Sequence, residues 1–575
     1  MSPTSREAER RRRLATRTLP ISVIAGVSFI GGLVIGGIDH LDAVERFAEA
    51  WEQDDVDAMY AELSGDAQAE ISRPDFKSAY ADAERTATVD VVDAGDPEEA
   101  SGGSASLEVD IKTFAWGEVS GELEVPLEDG KIAWDPRMLF PGLRPGEHLD
   151  RRTRAPSRAP ILTADGTPLA EGPASARSSP LGVAASAVGG TVDSPKHAQE
   201  LLLEGQGFPP GSLAGTSGLE LAFNDRLDGQ PSGQLLATGG GGARVLASGE
   251  PQPGQPVHTT IDSGIQEAAV AALGNLFGGV AVLDANDGSI RALAGIAFSA
   301  PQPPGSTFKV ITTTAALDAG VVKLTDTFPV ETAAVLDGRE VANAHDESCG
   351  GTFVQSFAHS CNSVFAPLGA EVGAQRLIDE AEQFGFNSQP AIYNATATAI
   401  IDPPPSTIPT SLSSDLEVGV SAIGQGEVQS TPLGMASAAQ TIASGGVRTP
   451  TSIVTEPELR PEAKPVRVTS EETANLLRQL MIRVVTEGTG TAAAIPGVQV
   501  AGKTGTAELG PKALEAGEEL GPGEEPEQEI DAWFTGFAPA TEPQLAAAAM
   551  VVNAEGDGGT VAAPIVRQVL EAGLR

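Results

Sequence analysis

The chain has 575 residues, 41% hydrophobic and 20% charged, a globular composition long enough for three or four domains. A formal net charge of −41 repels phosphate backbones and argues against a nucleic-acid partner. Two cysteines exclude a disulfide scaffold and a four-thiolate zinc site.

Residues 1–18 are a basic tail with Arg6, Arg10, Arg11, Arg12, Arg13 and Arg17. Residues 19–38, LPISVIAGVSFIGGLVIGGI, carry no charge. At ~1.5 Å per residue such a helix spans about 30 Å, one bilayer core. Asp39, Asp42 and Glu45 follow, so the positive-inside rule predicts a cytoplasmic N-terminus and an extracellular remainder. No A-x-A-like cleavage site follows the apolar run, so an uncleaved single-pass anchor is expected in the cell membrane.

Residues 40–140 read as a small domain of helices followed by a curved antiparallel sheet. Apolar residues three and four apart from Leu41 to Leu63 predict an amphipathic helix broken near Asp54–Asp55, and Phe76 and Tyr80 continue the helical pattern. The period then changes to two, with Leu107, Val109 and Ile111, then Leu123, Val125 and Leu127. Residues 141–254 read as a linker and an irregular pedestal. The stretch 141–160 holds four prolines and Arg144, Arg151, Arg152, Arg154 and Arg158, and is expected to be a polar hinge. From 255 to 575 the signals sharpen into an antiparallel sheet flanked by helices. Asp262 caps a helix, Asn286-Asp287-Gly288 turns a hairpin over 280–295, 545–553 is a buried strand and 561–574 a closing helix. The whole is an α+β multidomain chain. The run 508–529 carries eight glutamates and is expected to form a mobile acidic loop.

Three short motifs lie in order in this last region: Ser306-Thr307-Phe308-Lys309, Ser360-Cys361-Asn362 and Lys503-Thr504-Gly505-Thr506. A serine hydroxyl needs a base to become a nucleophile. Lys309 lies one helical turn beyond Ser306 and can supply it if its amine is neutral, which requires desolvation or a nearby cation such as Lys503. Ser360 is placed to pass a proton to a leaving amine, and Asn362 to hold Lys309 and a substrate amide. Lys503, Thr504 and Thr506 can bind a carboxylate from an edge strand, with Gly505 leaving room for a substrate backbone. The backbone N–H groups of Ser306 and Thr506 are the expected oxyanion hole. This chemistry calls for no metal or cofactor. Cys349 and Cys361 lie outside the membrane and 12 residues apart (361 − 349). A disulfide fixing the Ser360 loop and a pair of separate reduced thiols are both open.

On these motifs the chain resembles the class B penicillin-binding proteins, monofunctional peptidoglycan D,D-transpeptidases. TTIDSGIQEAA, VGVSAIGQGEVQSTPLGMA, TEGTGTAA, DAWFTGFAP and GTVAAPIVRQVLE are similar to that family's usual stretches. AWDPRMLFPGLRPGEH and RAPILTADGTPLAEG resemble the boundary of the methicillin-resistance subgroup, whose N-terminal domain is nuclear-transport-factor-2-like. The resemblance implies a dimerisation-type pedestal and acylation of Ser306 by a D-alanyl-D-alanine stem peptide from a lipid-linked precursor. It also implies transfer to a second stem and inhibition by β-lactams. A glycosyltransferase and other wall-synthesis proteins are the partners such an enzyme would have. A β-lactamase, a D,D-carboxypeptidase and a non-catalytic scaffold are the rival readings.

Overall fold

The computed structural model describes residues 41–394, 403–511 and 528–575. The apolar run 19–38 and most of the acidic run, 512–527, lie outside them. Among the described residues no helix is long and apolar enough to cross a membrane.

In the first domain the helix Asp42–Glu52 buries Val44, Phe47, Ala48 and Trp51, residues that share one face at helical spacing. Asp54 takes a left-handed φ of 61° and Asp55 caps the next helix through Ala58 N–H, so the chain breaks at the predicted place. The helix Arg73–Ala87 adds Phe76 and Tyr80, whose rings stand 4.8 Å apart. These helices cover antiparallel strands Ser104–Thr113 and Gly117–Glu128, which bury Leu107, Val109, Ile111, Leu123 and Val125. The core of this domain is not confined to residues 40–140. Its core also takes in Leu143, Leu235 and Ala237 from farther along the chain.

The stretch expected to be a hinge is a strand. His148–Arg154 pairs antiparallel with Ser232–Gly239, which pairs in turn with Gly242–Ser248, and the four-glycine run is the turn of that hairpin. Leu149 is the one apolar residue in HLDRRTR, so no hydrophobic alternation marks the strand, yet burial alternates along it. Arg158 is not solvated either. It is 7% exposed, donates to Glu220, Asn224 and Asp228, and fastens the pedestal helices to the chain entering the next domain.

The C-terminal domain is built on a five-stranded antiparallel sheet. Its order is Ile290–Gly295, Gly278–Asp284, Leu545–Val551, Gln528–Ala538 and Ala501–Pro511. The central strand is buried on both faces. Ala546, Ala548 and Met550 face one core, shared with the helix Pro432–Ala443, while Ala547, Ala549 and Val551 face the other, shared with Ser263–Leu273 and Ala563–Gly573. Pairing of the last two strands runs from Ala501↔Phe537 to Pro511↔Gln528, so the ends of the predicted acidic loop are strand. The strand Ala501–Pro511 is the sheet's edge, and the turn carrying Ser306 packs against it.

Candidate active site

Ser306 sits in a 3₁₀ turn, Gly305–Phe308, that runs directly into the helix Lys309–Asp318. In such a turn residues three apart are nearly eclipsed, which puts Lys309 beneath Ser306. The turn is pressed close to the edge strand. A Cβ on Gly305, which holds φ +52°, would lie 2.6 Å from Thr506 O. One on Gly505 would lie 2.7 Å from Pro304 O and 2.9 Å from Thr307 Cγ2. The space that Gly505 leaves on this side is taken up by the Ser306 turn.

Lys309 and Lys503 converge on Ser360. Lys309 Nζ donates to Ser360 O at 2.7 Å, to Ser360 Oγ at 3.2 Å and to Asn362 Oδ1 at 2.7 Å. Lys503 Nζ donates to Ser360 Oγ at 2.8 Å and to Thr504 O at 3.1 Å. Both lysines are fully buried. Lys309 lies 5.3 Å from the Phe365 ring centre and Lys503 5.7 Å from that of Phe357. Burial, helped by the neighbouring Lys503 ammonium, holds Lys309 well below the ordinary lysine range. Burial alone brings Lys503 down to about 7. No hydrogen bond joins Lys309 Nζ to Ser306 Oγ; its protein partners are Ser360 and Asn362.

Ser360 has a left-handed φ of 63°, unusual for a residue with a Cβ. Its surroundings hold it there. Cys361 is joined to Cys349 by a disulfide, with Cα atoms 5.3 Å apart. Asn362 Nδ2 donates to Ala342 O, and Asn343 Oδ1 accepts from Ser363 N–H, each at 2.8 Å. Asn343 was not legible as part of the site, because a lone Asn in a loop carries no signal. A loop of 12 residues is worth about 3 kcal/mol on closure in the chain-entropy model. Reduction should therefore lower the melting temperature and slow acylation of Ser306 together. Acylation that is unchanged after verified reduction would show that the disulfide does not hold Ser360 in place.

On the edge strand, Thr504 Oγ1 lies 2.5 Å from Thr489 Oγ1, and Thr506 Oγ1 accepts from Gly558 N–H at 3.5 Å. Thr506 O faces away from the neighbouring strand, toward Gln425 Nε2 at 3.5 Å. The N–H and C=O of one strand residue point to the same side, so Thr506 N–H also faces the Ser306 turn.

A buried amine, a serine one turn away and a second buried lysine on the edge strand have the layout of a serine acyl-transfer site. Residues 278–571 match the penicillin binding protein transpeptidase domain, and the chain belongs to that family. Residues 40–147 match the NTF2-like N-terminal transpeptidase domain, and 170–259 the penicillin-binding protein dimerisation domain. The chain is 36% identical over 309 residues to the peptidoglycan D,D-transpeptidase PbpA of Mycobacterium tuberculosis, covering 50% of this chain and 58% of that one. It is 34% identical over 290 residues to stage V sporulation protein D of Bacillus subtilis, covering 47% and 42%. These matches span about half the length of the curated relatives. The structure of penicillin-binding protein A from M. tuberculosis as a penicillin G acyl-enzyme complex superposes with a TM-score of 0.56 at 28% identity, over 73% of this chain and 100% of that one.

Proposed function

We propose that this protein is a peptidoglycan D,D-transpeptidase, anchored by residues 19–38 with its catalytic domain outside the cell, and that β-lactams acylate Ser306. The observation that carries the reading is the convergence of two buried lysines on Ser360 beside the Ser306 turn. The printed identities of PbpA and of the penicillin G acyl-enzyme support it.

In this reading Ser306 Oγ attacks the carbonyl carbon between the two terminal D-alanines of a stem peptide, and neutral Lys309 takes its proton. The oxyanion is held by the N–H groups of Ser306 and Thr506. Collapse breaks the peptide bond, and the leaving amine takes a proton delivered through Ser360 from the two lysines. The acyl-enzyme then reacts with the amine of a second stem, which releases Ser306 and forms the cross-link. Lys503, Thr504 and Thr506 bind the terminal carboxylate, or that of a β-lactam. That anion in turn favours the charged form of Lys503. Asn362 holds Lys309 through Oδ1, and residues 40–140, 141–254 and 255–575 are the N-terminal, pedestal and catalytic domains.

Purified ectodomain supplied with lipid-linked precursor and a glycosyltransferase should yield cross-linked dimers. Released D-alanine with no dimer would make the enzyme a carboxypeptidase, and no labelling by fluorescent penicillin would leave a scaffold. Lys503→Ala should slow acylation by penicillin G more than by its methyl ester, which lacks the charge. Equal slowing would place Lys503 in the proton machinery instead.

A further inference from the structure

The stretch TEGTGTAA contributes one side chain to the site described above. Thr489 follows the helix Glu471–Thr486, and its side chain is exposed next to Thr504 on the edge strand. Its backbone N–H donates to Ala358 O at 3.1 Å, at the end of the helix Phe353–Ala358 and two residues before Ser360. Gly488 makes that approach tight, since a Cβ there would lie 2.2 Å from Ala358 O. Thr489 therefore links the Ser360 loop to the Lys503 strand through its backbone and its hydroxyl.

The protons at this junction can be counted. Each threonine hydroxyl has one proton to donate. Thr489 Oγ1 has two acceptors in reach, Thr504 Oγ1 at 2.5 Å and Ala358 O at 3.4 Å. The second is long for an O–H···O bond, and Ala358 O already accepts the Thr489 N–H. If Thr504 were the donor of the short bond, its proton would be spent on Thr489 and none would be left for a substrate. If Thr489 is the donor, the Thr504 proton is free.

We propose that Thr489 is a positioning residue for carboxylate recognition, donating its hydroxyl proton to Thr504 Oγ1 so that the Thr504 proton points at the substrate or β-lactam carboxylate. The inference rests on the transpeptidase reading above, in which Thr504 meets that carboxylate. It couples carboxylate binding to the Ser360 loop, because the residue orienting Thr504 is itself held by Ala358.

The test compares second-order acylation rates for penicillin G and penicillin G methyl ester on the detergent-solubilised full-length wild type, Thr489→Val and Thr489→Ser. Valine is isosteric and the side chain is exposed, so Thr489→Val is expected to fold. Without the Thr489 donor the Thr504 hydroxyl is no longer held with its proton toward the carboxylate, a loss felt only with the acid, so the acid-to-ester rate ratio should fall severalfold in Thr489→Val and recover in Thr489→Ser. A purely structural role would slow both compounds alike and leave the ratio unchanged, and that result overturns the proposal. Failure of penicillin G to acylate the wild type would overturn the transpeptidase reading and this inference together. An unchanged ratio in an acylating wild-type background overturns this inference alone.

Discussion

Ser306→Ala should give a protein whose intact mass is unchanged after incubation with penicillin G, while the wild type gains one adduct that maps to the peptide PPGSTFK. Lys309→Ala should lose acylation by roughly three orders of magnitude or more, because nucleophile and base act as a unit and removing either removes the step. The hydrogen bonds of Lys309 give this expectation its structure. Its amine is held by Ser360 and Asn362 in a buried site, and burial with the Lys503 charge favours its neutral form. The rate should rise with pH as the Lys309 amine loses its proton. It should fall again as Lys503, down at about 7 without ligand, loses the charge that binds the carboxylate. The two lysines share Ser360, so the limbs of that bell belong to the pair. An adduct that persists in Ser306→Ala would falsify the assignment.

Arg158→Ala should cost about 3–5 kcal/mol, far more than any surface charge in the chain. Arg158 is buried against Glu220 and Asp228, with Nε donating to Glu220 Oε2 at 2.7 Å and Nη2 to Glu220 O at 3.0 Å. Arg177 reaches the other oxygen of Glu220 at 2.7 Å, and its other donors go to Gly172 O, Ala159 O and Ala170 O. Burial already pushes the Asp228 carboxyl up, with Arg158 opposing, so losing the cation leaves a desolvated acid without its counter-charge. Arg154→Ala is the control. Its partner Glu250 is 82% exposed at the side chain and Arg154 66%, so its loss should cost under about 0.5 kcal/mol. Urea unfolding of the two variants decides it, and stabilities within about 1 kcal/mol of each other would reject the role given to Arg158.

What the sequence revealed and what it hid divide along physical lines. The residues of the acyl-transfer site come in three short motifs, since a turn of helix, a loop and an edge strand each fix neighbours locally. The strands around 107–111 and 123–127 are legible from apolar alternation, and 545–551 from its unbroken apolar run. His148–Arg154 was not, because its partner lies about 80 residues on and its side chains carry charge. The extension of the first core to Leu235 and Ala237 has the same cause, since nothing local in that hairpin names the surface it covers. The approach of Pro304 O to Gly505 is set by tertiary packing and leaves no local signal. Thr489 lies in TEGTGTAA, but its chemistry appears only when Thr504 and Ala358 are brought beside it.

The central strand of the catalytic sheet has a thermodynamic meaning as well as a geometric one. Ala546, Ala547, Ala548 and Ala549 are wholly buried, and alanine has no rotamers to freeze, so they are ordered without side-chain entropy loss. Longer apolar residues there would bury more surface but would have to give up their rotamer freedom. They would also have to push apart the helices that close on both faces, at roughly 1–3 kcal/mol each. Two strands away, the edge strand that carries Lys503 inherits its position from this stiff, narrow centre. The backbone that carries Lys503 thus rests on a strand centre whose side chains have no rotamers to exchange.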